Sequence, residues 1–333
     1  MKSKPLIVIA GPTGVGKTDA AHHLAMEMNG EIVSADPRQV YRYLDIGTAK
    51  PPSMLRQQLP YHIIDIVDPD EDFSVADFKQ QAETIIDQIH IRGKLPFLVG
   101  GTGLYIKSIV SGLFPSPLPS PCLRQQLHEE ASLLGTNHLY QRLLEIDPET
   151  GSRLSGNDLR RIIRALEVYY QTGTTISYLK QSATTTKDYH LTMIVLNQDR
   201  QQLYARIEQR VDEMIKMGWV EEVRGLLEKG YSPVIPATPI PCLNSHEHKQ
   251  DACATTAIPR LISMEALGYR QIIKHIQGIY SLQEAIAEIK QSSRQFAKRQ
   301  LTWFRADSRY NWFEPNDIAR IRQTIEQSNS IMV

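Results

Sequence analysis

Residues 11–18 read Gly-Pro-Thr-Gly-Val-Gly-Lys-Thr and satisfy every position of the pattern G-x-x-x-x-G-K-[ST]. In a phosphate-binding loop (P-loop) of this kind, consecutive backbone N–H groups wrap an anion at a helix N-terminus. The glycines let the backbone come close, the lysine adds a mobile charge, and the last hydroxyl is offered to Mg²⁺. The device works only between a strand and a helix, and the sequence supplies both. Leu6–Ala10 is a short continuous apolar run suited to a buried parallel strand. From about Lys17 to Met28, residues Ala20, Ala21, Leu24, Ala25 and Met28 fall on one side of a helix. A chain that begins this way is constrained to an α/β fold built on a parallel sheet.

The rest of the chain extends that pattern and then departs from it. Glu31–Ala35, Ile63–Val67 and Leu95–Val99 read as strands, and Ser74–Ile91 as a helix with Ser74 as its N-cap and Asp77 three residues on. Alternating strands and helices predict a doubly wound sheet. Phe114–Pro121 is proline-rich, and from about Cys122 to Gly173 the chain is mostly helical. Leu191–Leu196 looks like a strand returning to the sheet. Arg200–Lys229 and Leu282–Asp307 are strongly helical. The expected architecture is therefore α/β: a P-loop parallel-sheet core with helices on both faces, formed by 1–117 and 191–333, and a mostly helical inserted domain at 118–190. Tyr231–Pro259 holds five prolines among Ser, Thr, Asn and His, so 231–260 is expected to be a mobile loop insertion.

Composition narrows the function classes. Of 333 residues, 41% are hydrophobic and 22% charged, and 37 basic residues balance 37 acidic ones. That excludes a polybasic binder without excluding a local basic surface. The three cysteines, Cys122, Cys242 and Cys253, are too few and odd in number for a disulfide framework. The first apolar run is too short for a signal-peptide core, and no stretch approaches the ~20 apolar residues of a membrane span. The expectation is a cytoplasmic chain with no membrane contact, acting as a monomer.

Several residues carry chemistry. The strand at Leu95–Val99 ends in Gly100-Gly101-Thr102-Gly103, where a P-loop hydrolase usually has an Asp for Mg²⁺. The loop therefore suits a diphosphate that is held without hydrolysis of a nucleoside triphosphate, although loops of this type also mark ATP-binding and other nucleotide-binding proteins. Asp65 and Asp68 are the other carboxylates in reach of that role. Asp36 follows the second strand, where open α/β sheets place ligands, and reads either as a general base or metal ligand or as a turn carboxylate. Two basic regions, Arg160–Arg164 and Lys290–Arg309, read either as phosphate contacts with base-stacking aromatics or as solvated helices whose aromatics face the core. Cys242, His246, His248 and Cys253 match no standard zinc spacing. His22 and His23 are read as surface residues.

Taken in order, Gly11–Thr18, Ser34-Ala-Asp36-Pro-Arg-Gln-Val-Tyr41, Asp45-Ile-Gly-Thr-Ala-Lys-Pro51, Gly100-Gly-Thr-Gly-Leu-Tyr105, Arg161-Ile-Ile-Arg-Ala-Leu-Glu-Val168, Ala266-Leu-Gly-Tyr-Arg270 and Lys298-Arg-Gln-Leu-Thr-Trp303 resemble the bacterial tRNA dimethylallyltransferases. The resemblance spans about residues 6 to 305. It implies transfer of a dimethylallyl group from dimethylallyl diphosphate to N6 of the adenosine 3′-adjacent to the anticodon, in tRNAs reading codons that begin with U.

The site residues follow from the same resemblance. Asp36 is implied as general base, with Lys17 and Thr102 beside it in the catalytic set. Gly11, Pro12, Thr13, Gly14, Val15, Gly16, Lys17 and Thr18 are implied to hold the diphosphate, with Mg²⁺ at Thr18. Asp36, Pro37, Arg38, Gln39, Thr102, Arg124, Arg160, Arg161, Arg164, Arg270, Lys298, Arg299, Gln300, Trp303 and Arg305 are implied to meet the tRNA anticodon stem-loop, around which the family's helical insertion closes. Two departures stand out: Pro37 where the family usually has Ser, and the long 231–260 segment that relatives cross in a few residues. A prenyltransferase acting on free adenine nucleotides would share the loop and Asp36 but not need the extended basic helix. A small-molecule P-loop kinase would leave the Asp45–Pro51 and Gly100–Tyr105 motifs without a role, and the missing carboxylate after Leu95–Val99 counts against a non-enzymatic RNA-binding ATPase.

Overall fold

The computed structural model describes residues 3–181, 187–232, 261 and 263–330. The described residues divide into two compact units, one of 3–110 with those from Lys187 onward, the other of 111–181. The helical unit thus begins and ends somewhat before the expected 118 and 190. The expected 231–260 loop and the Cys242, His246, His248, Cys253 set lie outside the described residues, apart from Tyr231 and Ser232.

The first unit is built on six strands in the order β3-β2-β4-β1-β5-β6, all parallel. They are β1 (Lys4–Ala10), β2 (Gly30–Ser34), β3 (Tyr61–His62), β4 (Leu95–Gly100), β5 (Tyr189–Leu196) and β6 (Asn311–Phe313). Strand β1 lies centrally, with Ile9 opposite Val99 on one side and Ile194 on the other. Its continuous apolar run reflects burial on both faces. Leu6, Val8 and Ala10 pack with Phe78, Ile86 and Ile109, while Ile7 and Ile9 pack with Leu24, Ile207 and Ile321. That alternation places helices on both faces.

The helices of this unit are α1 (Lys17–Glu27), α2 (Ser53–Gln58), α3 (Val75–Ile91) and α4 (Gly103–Val110) in its first part. Ser74 caps α3 as expected, in a full capping box with Asp77. The second unit carries α5 (Pro121–Leu134), α6 (Thr136–Ile146), α7 (Pro148–Ser152), α8 (Leu159–Thr172) and α9 (Ile176–Gln181). It has its own core of Leu127, Leu139, Leu143, Ile162, Ile163 and Leu166. The proline-rich segment leads into α5, with Ser120 as cap and Pro121 in the first turn, where a missing N–H costs nothing. Back in the first unit follow α10 (Arg200–Lys216), α11 (Trp219–Glu228), α12 (Tyr269–Ile276), α13 (Leu282–Arg305) and α14 (Ile318–Ser330).

Three local expectations are corrected. Ile63–Val67 is not a strand: the edge strand is Tyr61–His62, and Ile63 and Asp65 both take positive φ, at 61° and 57°. The chain there is held by backbone bonds from Asp65 and Ile66 to Gln39 and Val40, and by Lys50 and Arg56 on the Asp65 carboxylate. The helix expected over 200–229 breaks at Gly218, which is left-handed at φ 97° and starts α11. Strand β6 and helix α14 were not expected; three residues cannot show a period, and β6 forms only by pairing with β5.

Candidate functional site

The site lies at the carboxyl ends of β1, β2 and β4, where an open parallel sheet presents its crevice. Strand β1 delivers the glycine-rich loop. Lys17 opens α1 and turns its ammonium back to donate to the Pro12 carbonyl at 2.7 Å. Burial, with Arg210 adding repulsion and only partly offset by Asp36, pulls the Lys17 ammonium down to about 7. Strand β2 delivers Ser34 and Asp36, and β4 delivers Gly100 and Gly101. Lys17, Thr18, Ser34, Asp36, Gln39, Gly100 and Gly101 line one small pocket, whose apolar wall is Ile32, Val99 and Tyr61. Tyr61 is fixed there by a 2.9 Å hydrogen bond with His22, which is therefore a partner in the site wall rather than a plain surface residue.

Asp36 serves as a turn carboxylate, one of the two readings the sequence left open, and also lines the pocket. One carboxylate oxygen accepts the Arg38 N–H at 2.8 Å, closing a turn, and the residue still faces the pocket with Lys17 and Thr18. Gln39 is spent on its own loop, accepting from the Ser34 hydroxyl at 3.0 Å and donating to the Thr48 and Ala49 carbonyls. Pro37 and Arg38 complete the turn, half-buried, and Thr102 sits half-buried at the start of α4. Asp65 and Asp68 are committed elsewhere, to Lys50 with Arg56 and to Arg42, and neither lines the pocket.

Two cations were missed by the sequence reading. Arg206 and Arg210 lie one turn apart on α10. The Arg206 guanidinium stands 3.3 Å from where a Cβ on Gly16 would be. Arg210 is half-buried; desolvation lowers its pKa, and Asp36 and Asp19 work against that shift. The i, i+4 arginine spacing on the first helix after β5 was the available signal.

The basic regions sort into two kinds. On α13, Lys298, Arg299, Arg305 and Trp303 are exposed, and Lys298 and Arg305 line a broad groove with Arg200, Tyr204, Trp312 and Arg320. Lys290 and Arg294, further back on the same helix, are tied to Asp212 and Glu208. Gln300 is turned inward, 7% exposed, and bonds Thr13 N–H at 2.9 Å and the Gly101 carbonyl at 2.8 Å. The residue expected to meet RNA thus contacts the two site loops. Arg270 is exposed on α12. In the helical unit, Arg160 and Arg161 are exposed on α8, whereas Arg124 and Arg164 both grip the buried carboxylate of Glu167. Burial pushes the Glu167 carboxyl up, but those two guanidiniums and the Ser120 N–H outweigh it and hold it below its ordinary value. Among the described residues no group of three or more His, Cys, Asp and Glu side chains could hold a metal ion by itself. No helix among them is long and apolar enough to cross a membrane.

Comparison with known proteins agrees with this architecture. The family model described as IPP transferase matches residues 39–307. A tRNA dimethylallyltransferase of Syntrophobacter fumaroxidans is 43% identical over 322 residues, covering 95% of this chain and 86% of the relative. A tRNA dimethylallyltransferase 2 of Geotalea uraniireducens is 45% identical over 318 residues, covering 95% and 94%. The crystal structure of the tRNA isopentenylpyrophosphate transferase of Bacillus halodurans superposes with a TM-score of 0.67 at 35% identity, covering 98% of this chain and 99% of that one. A eukaryotic dimethylallyltransferase acting on tRNA gives a TM-score of 0.73 at 26% identity, covering 98% and 78%. With a matching model over most of its length and relatives of this identity, the chain belongs to the IPP transferase family.

Proposed function

We propose that this chain is a tRNA dimethylallyltransferase that moves the dimethylallyl group of dimethylallyl diphosphate to N6 of the adenosine 3′-adjacent to the anticodon, in tRNAs reading codons that begin with U. The observation that carries the reading is one pocket shared by Lys17, Thr18 and Asp36. It sets a diphosphate-binding loop beside a carboxylate that can accept a proton.

The chemistry follows from that pairing. Adenine N6 is a weak nucleophile, because its lone pair is delocalised into the ring. The donor must supply the drive through its allylic C1–O bond, which breaks with the electron pair leaving on the diphosphate. Lys17, the loop N–H groups and the nearby Arg206 and Arg210 stabilise that developing charge. As the N6–C1 bond forms, Asp36 takes the N6 proton. The hard hydroxyl oxygen of Thr18 on that pocket suits Mg²⁺, which uses few protein ligands and keeps several waters. Bound there with the diphosphate, the ion would add neutralising charge at the leaving group. Thr102, beside Gly101, is the remaining member of the proposed catalytic set.

The acceptor reading rests on cations that the protein leaves exposed. Lys298, Arg299 and Arg305 on α13, Arg270 on α12, and Arg160 and Arg161 on α8 are available to RNA phosphates, with Trp303 able to stack on a base. The target adenine leaves its stack to reach the pocket, at a cost of a few kcal/mol.

The deciding experiment is mass spectrometry of nucleosides from tRNA incubated with protein, Mg²⁺ and dimethylallyl diphosphate, with AMP, ADP and ATP as parallel acceptors. N6-dimethylallyl-adenosine in the tRNA digest is expected. Prenylated free nucleotide beside untouched tRNA would move the protein to the nucleotide-acceptor class. Asp36→Asn is expected to keep tRNA affinity and to lose about a hundredfold or more in single-turnover rate.

A further inference from the structure

Helix α13 packs its buried face through Ala285, Ile289, Ser293, Ala297, Gln300 and Phe304. Gln300 is the long polar side chain on that face, and both ends of its amide are used. Its carbonyl oxygen accepts the Thr13 N–H at 2.9 Å, and its nitrogen donates to the Gly101 carbonyl at 2.8 Å. The amide orientation is fixed by the partners themselves, since a flipped amide would face donor to donor and acceptor to acceptor. Thr13 belongs to the glycine-rich loop after β1, and Gly101 leads into Thr102 after β4. Gly101 also comes so close that a Cβ there would stand 2.3 Å from the Gln300 nitrogen, so any side chain would displace the amide. One turn on, the Trp303 indole lies against Gly103, 2.0 Å from the place of a Cβ.

We propose, on the reading given under Proposed function, that Gln300 is a positioning residue for the transfer step. It clamps the donor loop at Thr13 to the Gly101–Thr102 loop and touches neither substrate. The same helix carries Lys298, Arg299 and Arg305 outward. The helix that offers its exposed side to the acceptor RNA therefore holds the two site loops in register with its buried side. A buried amide with both bonds made fixes geometry more sharply than an apolar residue of equal volume, because each bond is directional and costly to leave unmade.

Gln300→Met keeps length and volume and removes both bonds. Gln300→Glu keeps the acceptor for Thr13 N–H and removes the donor to Gly101. With Gln300→Met the single-turnover rate on saturating tRNA is expected to fall about thirtyfold or more, as loss of loop register on the ångström scale implies. The affinity for tRNA stays within about twofold of wild type. Gln300→Glu, which sets a carboxylate against the Gly101 carbonyl, falls at least as far. A Gln300→Met protein that weakens tRNA binding as much as Lys298→Ala does, with an unchanged rate once tRNA is bound, would make Gln300 an RNA contact and overturn the proposal. An unchanged rate and unchanged tRNA affinity would overturn it as well. Binding of inorganic pyrophosphate, followed by titration calorimetry, reads the clamp without any acceptor. Weaker pyrophosphate binding by Gln300→Met supports the clamp even if the wild type prenylates no tRNA, which would sink only the acceptor reading; unchanged pyrophosphate binding counts against the clamp.

Discussion

The carboxylate of Glu222, on α11, accepts the backbone N–H of Ile46 at 2.7 Å. The same carboxylate accepts from Asp45 N–H at 2.9 Å and from the Tyr269 hydroxyl at 2.7 Å, so one side chain ties the 45–47 turn to the start of α12. Burial, reinforced by Glu222, pushes the Tyr269 phenol well above its ordinary range. Beside it Trp219 is wedged between two glycines, with Cβ positions on Gly47 and Gly268 only 2.1 and 2.0 Å from indole atoms. The motifs Asp45–Pro51 and Ala266–Arg270 are thus joined by packing. Lys50, buried, completes the join by bonding Asp45 at 2.7 Å and the Tyr41 carbonyl at 2.6 Å.

Glu222→Ala should therefore destabilise the first unit by about 3 kcal/mol, since it removes several charge-assisted bonds at once. Glu222→Gln should recover part of that. Gly47→Ala should be at least as damaging, because the indole has nowhere to move. Urea unfolding measures all three; a Glu222→Ala midpoint equal to wild type would show that the turn is held by other contacts.

Lys17 makes donor affinity pH-dependent. Its pKa in the free protein is about 7, below the ordinary 10.5. A bound diphosphate favours the ammonium and raises that value. Below pH 7 the charge is already present and affinity carries no Lys17 slope. As pH rises above 7 a proton must be taken up on binding, and affinity falls by at most about tenfold per pH unit. Calorimetry at pH 8 in buffers of different ionisation enthalpy should detect the uptake. Lys17→Arg, charged throughout, should abolish that component while leaving the ligand's own titration.

The cations of the helical unit and of α13 should separate under salt. Lys298→Ala with Arg305→Ala should reduce the slope of log affinity for tRNA against log salt by about 1.5, as expected for two lost phosphate contacts. Arg124→Ala should act on stability instead, because it strips the buried Glu167 of a partner bonded at 2.8 Å. A large change in salt slope with unaltered stability in Arg124→Ala would reverse that assignment.

Glu31 governs part of the acid limb. Burial raises its carboxyl, but Arg92, His62 and Lys94 outweigh burial and hold it at about 2. A carboxylate depressed in the folded state contributes stability that is fully present above about 4.5 and is lost as pH falls toward 2. The shift corresponds to at most about 3 kcal/mol, trimmed by solvent around its partners. Glu31→Gln should lower stability at pH 7 and flatten its loss between pH 4.5 and 2. Thermal melts across that window test it; an acid limb as steep as wild type in Glu31→Gln would assign the slope to other groups.

The sequence by itself determined what neighbouring residues can settle among themselves. Leu6–Ala10 and Leu95–Val99 show their burial on both faces as unbroken apolar runs, Ser74 and Asp77 cap α3 across a single turn, and Gly11–Thr18 with Asp36 announce the pocket because each is short and contiguous. Tertiary structure alone decided where polar side chains spend their hydrogen bonds. Gln300 reads as part of a basic helix until it meets Thr13, 287 residues away. Arg124 and Arg164 read as RNA cations, and the ion pairs of both with the buried Glu167 appear only in the fold. Arg210 comes within electrostatic reach of Lys17 and Asp36 only through the packing of α10, and Ile63–Val67 loses its strand to N–H bonds that Asp65 and Ile66 donate to the Gln39 and Val40 carbonyls and to the pull of Lys50 on Asp65. The physical reason is common to these cases: a local pattern reports which face of an element is apolar, whereas a polar group's role depends on which distant partner desolvates with it.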